Sequence, residues 1–345
     1  QTERIFYSDC VELESLIYGF LECKLKAKKY RKAKKFFEKE MSIVAPEFQH
    51  MVKQEVSVEA LSEMLTRLYL LYCVKRKKFE KIIQKIQPKV ILEVVSYNLD
   101  CMIFNEIAYE KKINTIELQH GVMSGSIAYY YPQNVLVKQF PQKIFLFSDY
   151  WKNCISVGYP YFEEQVKKYQ KINSDKNKTT KVILFLSQWT IGENFSKFAV
   201  EFNNLINGKW KIIYKLHPGE YTNWKKRYPW LVNSGIEVVD SLRHNIYEYF
   251  AVSNVQVGVS STAIFEGLGF GLDTFIFNTV SAECMKQLCQ DGFAIEVNSA
   301  KELADKLEKN IKRKKNKDKL FWKENAFSNL CVEINKCIDS NTACS

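Results

Sequence analysis

The chain has 345 residues, of which 46% are hydrophobic and 14% aromatic, and it carries a net charge of +11. That length suits two domains of similar size, each able to bury a core. Ten cysteines without a Cys-x-x-Cys pair exclude a zinc ribbon and a thioredoxin-like motif, and no apolar run approaches the ~20 residues of a membrane span.

Residues 11–85 carry apolar side chains at three- and four-residue spacing with almost no Gly or Pro, which predicts helices. The texture changes at Pro88. "KVILEVVS" predicts a strand, "NLDCMIFNEIAYEKK" a helix, "INTIEL" a strand ending at "QHG", and "KIFLFS" another strand, followed by "DYWKNCI". That order indicates a βαβ unit and a parallel sheet. The polar stretch Lys167–Lys181 has no periodic apolar face and is the expected linker.

Beyond the linker the alternation is clearer. "VILFLS", "WKIIYKL", "IEVVD", "VQVGVSS", "DTFIFN" and "FAIEV" predict strands. "NFSKFAVEFNNLI", "NIYEYFAVS", "AIFEGLGFG" and "AKELADKLEKNIKR" predict helices between and after them. A doubly wound α/β domain results. The late segment "LFWKENAFSNLCVEINKCI" reads as a further helix.

In open parallel sheets ligands bind beyond the carboxyl ends of the strands. There the sequence places Ser187, Gln188 and Trp189, then His217, Pro218, Gly219 and Glu220, then Ser260, Ser261 and Thr262, and in the first half Gln119, His120 and Gly121. Ser260, Ser261 and Thr262 precede a helix whose first turns hold Glu266 and Gly267, so they can either hold a phosphate or merely cap that helix. His217 closes an apolar strand. One ring N–H can reach a phosphate or leaving group while a backbone carbonyl holds the other nitrogen. Pro218 stops the strand, and Gly219 lets the backbone pass close to a ligand.

His120 can bind substrate or act as a general base. Glu117 lies within its strand and is the weaker base candidate. Asp149 is expected to cap a helix, and Asp100 and Asp240 are further carboxylates near strand ends. His50 reads as a surface residue, whereas His244 can also reach a nucleotide base. Tyr129, Tyr130 and Tyr131 suit a sugar-stacking surface or a core.

A strand ending "KLHPGE", followed some forty residues later by "GVSSTAIFEGLGFG", resembles the donor domain of GT-B glycosyltransferases of bacterial capsule and lipopolysaccharide synthesis. Sialyltransferases, polysialyltransferases and Kdo transferases with His-Pro and Ser-Ser/Thr motifs are the nearest likeness. The "ELQHG" loop is similar to one in surface-polysaccharide proteins of that architecture. The resemblance spans roughly residues 89–300. It implies an α/β, GT-B-like fold of two Rossmann-type domains facing a cleft, with a helical N-terminal region. Residues 1–170 would form the acceptor-binding domain, helical over 1–87 and α/β over 88–166. Residues 171–345 would bind the nucleotide-sugar donor, and the last helix would cross back.

The resemblance implies that His217 binds the donor phosphate and assists departure of the nucleotide. Ser260, Ser261 and Thr262 would hold that phosphate, Ser187, Gln188, Pro218 and Gly219 would line the donor site, and Glu266 and Gly267 would lie at the ribose. His120 would stand near the acceptor. The paired-carboxylate base motif of that group is absent here; "QDG" at residues 290–292 is incomplete. The implied reaction is metal-independent, inverting transfer from a nucleotide-activated sugar, CMP-sugar favoured, to a bacterial surface glycan or glycolipid. Lys215 and helix termini would supply positive charge, and no cofactor is implied.

Alternatives are a CDP-polyol phosphotransferase of the teichoic acid type, a UDP-sugar epimerase, and a non-catalytic basic scaffold for glycans or lipids. Two lysine-rich clusters, Lys24–Lys39 and Lys309–Lys319, suit either a solvated helix face or peripheral contact with an anionic membrane face. No nucleic-acid motif accompanies them. Scattered cysteines and the lack of a signal pattern predict a cytoplasmic chain with reduced thiols.

Overall fold

The computed structural model describes residues 27–52, 56–123, 137–151, 154–175, 180–241, 243–314 and 318–342. Residues 11–26 of the predicted helical region, and Tyr129, Tyr130 and Tyr131, lie outside them. The described residues form two compact units. One holds residues 27–117, 137–142 and 340–342, and the other holds residues 118–123 and 143–339.

The first unit contains α1 (Ala27–Val52), α2 (Val58–Ile86), β1 (Val90–Glu93), α3 (Leu99–Glu110) and β2 (Asn114–Leu118). Ser57 starts α2 by accepting a hydrogen bond from the Ala60 N–H at 3.2 Å, the usual remedy for an orphan donor of the first turn. Gln87 ends it in the left-handed region at φ 50°. Phe79 and Ile83 of α2 pack on Ile103 and Ile107 of α3, all buried. Each such side chain contributes about 1.5–3 kcal/mol of transfer free energy. β1 and β2 pair in parallel, with Glu93 opposite Glu117.

The second unit opens with β3 (Lys143–Leu146) and β4 (Ile155–Ser156), also parallel. Between them "DYW" makes only a single 3-10 turn. Ser148, rather than Asp149, supplies the side-chain acceptor there, taking the Tyr150 N–H at 3.3 Å. Next comes α4 (Pro160–Asp175). The stretch expected as a linker is therefore helix as far as Asp175. Its buried face is set by Phe162, Gln165 and Tyr169, a spacing the lysine-rich sequence conceals.

There follow β5 (Val182–Leu186), α5 (Gly192–Ile206), β6 (Lys211–Lys215), α6 (Trp224–Arg227), β7 (Glu237–Val239) and α7 (Ile246–Val252). The chain continues with β8 (Val255–Gly258), α8 (Ala263–Gly269), β9 (Asp273–Phe277), α9 (Lys286–Gln290), β10 (Ile295–Val297), α10 (Ala300–Glu308) and α11 (Ala326–Thr342). The six strands from β5 onward order themselves β10-β9-β8-β5-β6-β7, all parallel. The winding reverses between β5 and β8, which opens a crevice beyond their carboxyl ends.

Every residue of β5 is buried, as a strand covered on both faces requires. The late helix begins at Ala326, not at Leu320, because Asn325 adopts φ 59° and breaks the run. No described helix is long and apolar enough to cross a membrane, and the cysteines at 73, 101, 154, 284, 289, 331 and 337 carry free thiols.

Candidate functional site

β6 delivers His217 in an extended conformation, at the N-cap of the single 3-10 turn Pro218–Glu220. Pro218 at the first position of that turn costs nothing, because its missing N–H would have had no partner there. The Nδ1 atom of His217 accepts the Gly219 N–H at 3.1 Å. An acceptor at Nδ1 places the proton of the neutral ring on Nε2. This corrects the expectation that a backbone carbonyl holds the second nitrogen: the partner is an amide donor, and the ring N–H is the outer one. At Gly219 a Cβ would be crowded, standing 3.2 Å from Trp189 and 3.3 Å from His217 Nδ1.

Behind the loop lies Glu220, fully buried. Its carboxylate accepts the His217 N–H at 2.8 Å, the Ser187 hydroxyl at 3.1 Å and the Tyr228 hydroxyl at 2.7 Å. The Tyr214 hydroxyl donates in turn to Ser187 Oγ at 3.0 Å. Burial pushes both tyrosines well above their ordinary range, so they remain neutral donors. A buried carboxylate is tolerated only when its acceptor sites are filled, and here three donors fill them. The network ties the ends of β5 and β6 together. Sequence reasoning named Ser187 but not Glu220's role, because its partners are distant in sequence.

At the switch point Gln188 bridges from β5 to β8. Its Oε1 accepts both the N–H of Ser260 at 3.0 Å and the hydroxyl at 3.2 Å. Ser261 Oγ accepts the Ala263 N–H at 3.2 Å, which is the capping role. Thr262 makes no side-chain cap. Glu266 is partly buried beneath Tyr247, and burial pushes its carboxyl up to about 7. Gly267 answers a packing demand, since a Cβ there would lie 2.0 Å from Gln256 Oε1.

A cavity of about 600 Å³ opens over the ends of β5, β6, β7 and β8. Ser187, Lys215, His217 and Ser261 line it. Pro218 also borders it, whereas Gln188, Gly219, Ser260, Thr262 and Glu266 do not. Lys215 is buried. Desolvation lowers its ammonium pKa, against the opposing pull of Asp240 and Glu220. It donates to the Leu216 carbonyl at 3.1 Å and to the Tyr221 hydroxyl.

Lining residues not expected at the donor site include Lys168, Tyr169, Arg243 and Glu248. His244, named as a base-reaching candidate, lines the cavity too, and its Nδ1 lies 2.9 Å from Glu248. The Tyr169 hydroxyl donates to the same carboxylate at 3.1 Å. Partial burial acts to raise the Glu248 carboxyl, but these hydrogen bonds outweigh it and hold it below its ordinary range. Only the misreading of α4 as linker hid Lys168 and Tyr169.

The remaining candidates have other settings. His120 is exposed beyond β2 and does not line the cavity. Its neighbour Gln119 is the buried residue of that loop and accepts the Phe147 N–H at 2.8 Å. Glu117 is fully buried and accepts the Ser96 hydroxyl at 2.6 Å. Asp240 accepts the Trp224 indole N–H at 2.7 Å, Asp100 pairs with Lys75, and His50 is exposed near the end of α1. Among the described residues no three His, Cys, Asp or Glu side chains gather as a metal site would require.

Two Rossmann-like parallel sheets, with a cavity at the switch point of the second, can be compared with known folds. UDP-GlcNAc 2-epimerase from Methanocaldococcus jannaschii, in complex with UDP-GlcNAc and UDP, is similar at a TM-score of 0.54 and 14% identity, covering 78% of this chain and 81% of that one. The fold is GT-B-like. The Neisseria meningitidis enzyme bound to UDP-GlcNAc is similar at a TM-score of 0.53 and 12% identity, covering 79% and 82%. Staphylococcus aureus MnaA with UDP gives a TM-score of 0.53 at 11% identity, covering 77% and 80%. No family model matches the chain, and no curated protein matches it in sequence. The cavity of the second unit lies at the carboxyl ends of its strands, around the reversal of strand order, the place where open parallel sheets in general take ligands.

Proposed function

We propose that this chain is an enzyme of nucleotide-activated sugars that transfers the sugar to a surface glycan or glycolipid, with the donor's phosphates seated in the cavity of the second unit. One observation carries the reading. The lining sets His217, whose ring proton sits on Nε2, beside the cations Lys215, Lys168 and Arg243 at the switch point. Departure of a nucleotide leaves negative charge on a phosphate oxygen. Preorganised donors aimed at that oxygen stabilise it more in the transition state than in the ground state. His217 supplies such a donor and can pass the proton on as general acid. Lys215 adds charge from a partly desolvated position. His120 is the proposed base for the acceptor hydroxyl.

A second reading is isomerisation of a UDP-sugar in the same cavity. The fold shared with proteins crystallised with UDP-GlcNAc favours it. Titration calorimetry against CMP, CDP, UDP and GDP tests the common part. At least one nucleotide should bind, and His217→Ala should weaken it about tenfold or more, the worth of one charge-assisted hydrogen bond. No binding by any of the four, or binding indifferent to His217→Ala, overturns both readings and leaves a non-catalytic scaffold. Incubation with UDP-GlcNAc alone then separates the pair. An epimer formed without acceptor means isomerisation, and turnover only with a glycan or glycolipid means transfer.

A further inference from the structure

The donor cavity leaves a second feature unused. α1 and α2 enclose an open groove of about 830 Å³. Its walls carry Lys29 and Lys32 from α1 and Lys77, Lys78 and Lys81 from α2. Among the described residues no carboxylate lines it. The floor between the lysines is apolar: Phe36, Phe37, Tyr69 and Leu70. Phe36 is 56% exposed and Tyr69 47%. The apolar row does not stop at the groove. Ile43, seven residues beyond Phe36 and so on the same helix face, is 64% exposed, and Val44 is 47% exposed.

A lysine-rimmed apolar face needs a partner that is anionic and greasy together. A nucleic acid would satisfy the lysines, and its bases can stack on exposed aromatic faces. Here Phe36 and Phe37 meet edge to face at 5.3 Å, and Phe37 meets Tyr69 the same way at 5.9 Å. Those rings are turned onto one another, and the aliphatic Ile43 and Val44 offer a base nothing. A leaflet of anionic phospholipid uses every element. Lysines pair with phosphates, aromatic rings settle at the head-group boundary, and aliphatic side chains enter the acyl region.

We infer that the α1–α2 face is a membrane-docking surface, and that its partner is the anionic phospholipid of a bilayer. The inference makes no use of the nucleotide cavity. Its readout needs no substrate, so its failure and that of the proposed function are distinguishable.

Flotation of the full chain with lipid vesicles tests it. Vesicles of phosphatidylcholine with about 30 mol % phosphatidylglycerol should capture the protein at least about tenfold better than phosphatidylcholine alone, and added salt should weaken capture. Lys77→Glu with Lys81→Glu should lower capture about tenfold or more, whereas Lys309→Glu with Lys312→Glu in the other basic cluster should leave it within about twofold. Phe36→Ser should lower it even at low salt, where charge alone would still hold the protein. All these positions are solvent-exposed; Lys77→Gln with Lys81→Gln, a milder pair that removes charge without reversing it, should show a smaller loss in the same direction. Equal capture by neutral and anionic vesicles overturns the inference. So does capture indifferent to the groove variants, or preference for a single-stranded oligonucleotide over the vesicles.

Discussion

The backbone N–H of His217 donates to the buried carboxylate of Glu220 at 2.8 Å, while the His217 ring accepts from Gly219 two residues on in the same turn. The exposed histidine is therefore held at both backbone and ring by groups that sequence places within three residues of it. Glu220 in turn is held by Ser187 and Tyr228. Glu220→Ala removes one acceptor from three donors. It should cost about 3 kcal/mol or more, since hydrogen bonds to charged groups are worth about 1.5–3 kcal/mol each and the hydroxyls can re-aim only in part. Urea unfolding checks the cost, and nucleotide titration should show weaker binding as the loop loses its anchor.

Asparagine at 217 separates the two jobs of the histidine. In His217→Asn the amide oxygen can take the Gly219 N–H in place of Nδ1, but no donor remains at the Nε2 position. Thermal unfolding should change by less than about 1 kcal/mol, while nucleotide affinity falls about as far as in His217→Ala. A variant that melts early and still binds would reverse the assignment.

Gly192 is dictated by the same network. A Cβ there would stand 2.1 Å from the Tyr228 hydroxyl and 2.2 Å from Glu220 Oε1. Gly192→Ala should destabilise by about 2–3 kcal/mol, because overpacking displaces a buried carboxylate from its donors. Adding Tyr228→Phe removes the nearest of the three clashing atoms, so the double variant should lose less than the sum of the single ones. Denaturant titration of the four-member cycle reads the coupling.

The pair Glu93 and Glu117, partners in the β1–β2 register, sets a pH dependence. Burial, with the neighbouring Glu117 charge adding to it, pushes the Glu93 carboxyl up to about 7, although Asn105 donates to it at 2.8 Å. A carboxyl raised in the folded state binds its proton more tightly there than in the unfolded chain. Its contribution is full below the ordinary value of 4.5 and is lost as pH rises toward about 7. Glu266 acts in the same direction over the same window. Stability should fall between those limits, by at most about 3 kcal/mol per group. Glu93→Gln should flatten part of that fall and be more stable than the parent at pH 8. Thermal melts across the range decide it, and a parent that gains stability from pH 5 to 8 would refute the account.

Much of the second sheet was legible because a buried parallel strand must be a short apolar run and must end in polar residues at the surface. Val182–Leu186, Lys211–Lys215 and Val255–Gly258 follow that rule, and each hands over to a loop that reaches or borders the cavity. The His217–Pro218–Gly219 turn was legible too, because Pro and Gly restrict the backbone locally. The helix α4 was not. Its apolar positions are sparse, and burial of Phe162, Gln165 and Tyr169 is a property of what they pack against.

Sequence alone therefore determined which residues arrive at strand ends, since period and turn chemistry are local. The tertiary structure decided which strands became neighbours, and with that everything that depends on pairs. It brought Gln188 to Ser260 across 72 positions, Glu220 to Ser187 across 33, and Glu93 beside Glu117. Hydrogen bonds and charge interactions act over a few ångströms of space whatever the separation along the chain. No local pattern encodes them, and only the folded arrangement of strands puts those atoms within reach.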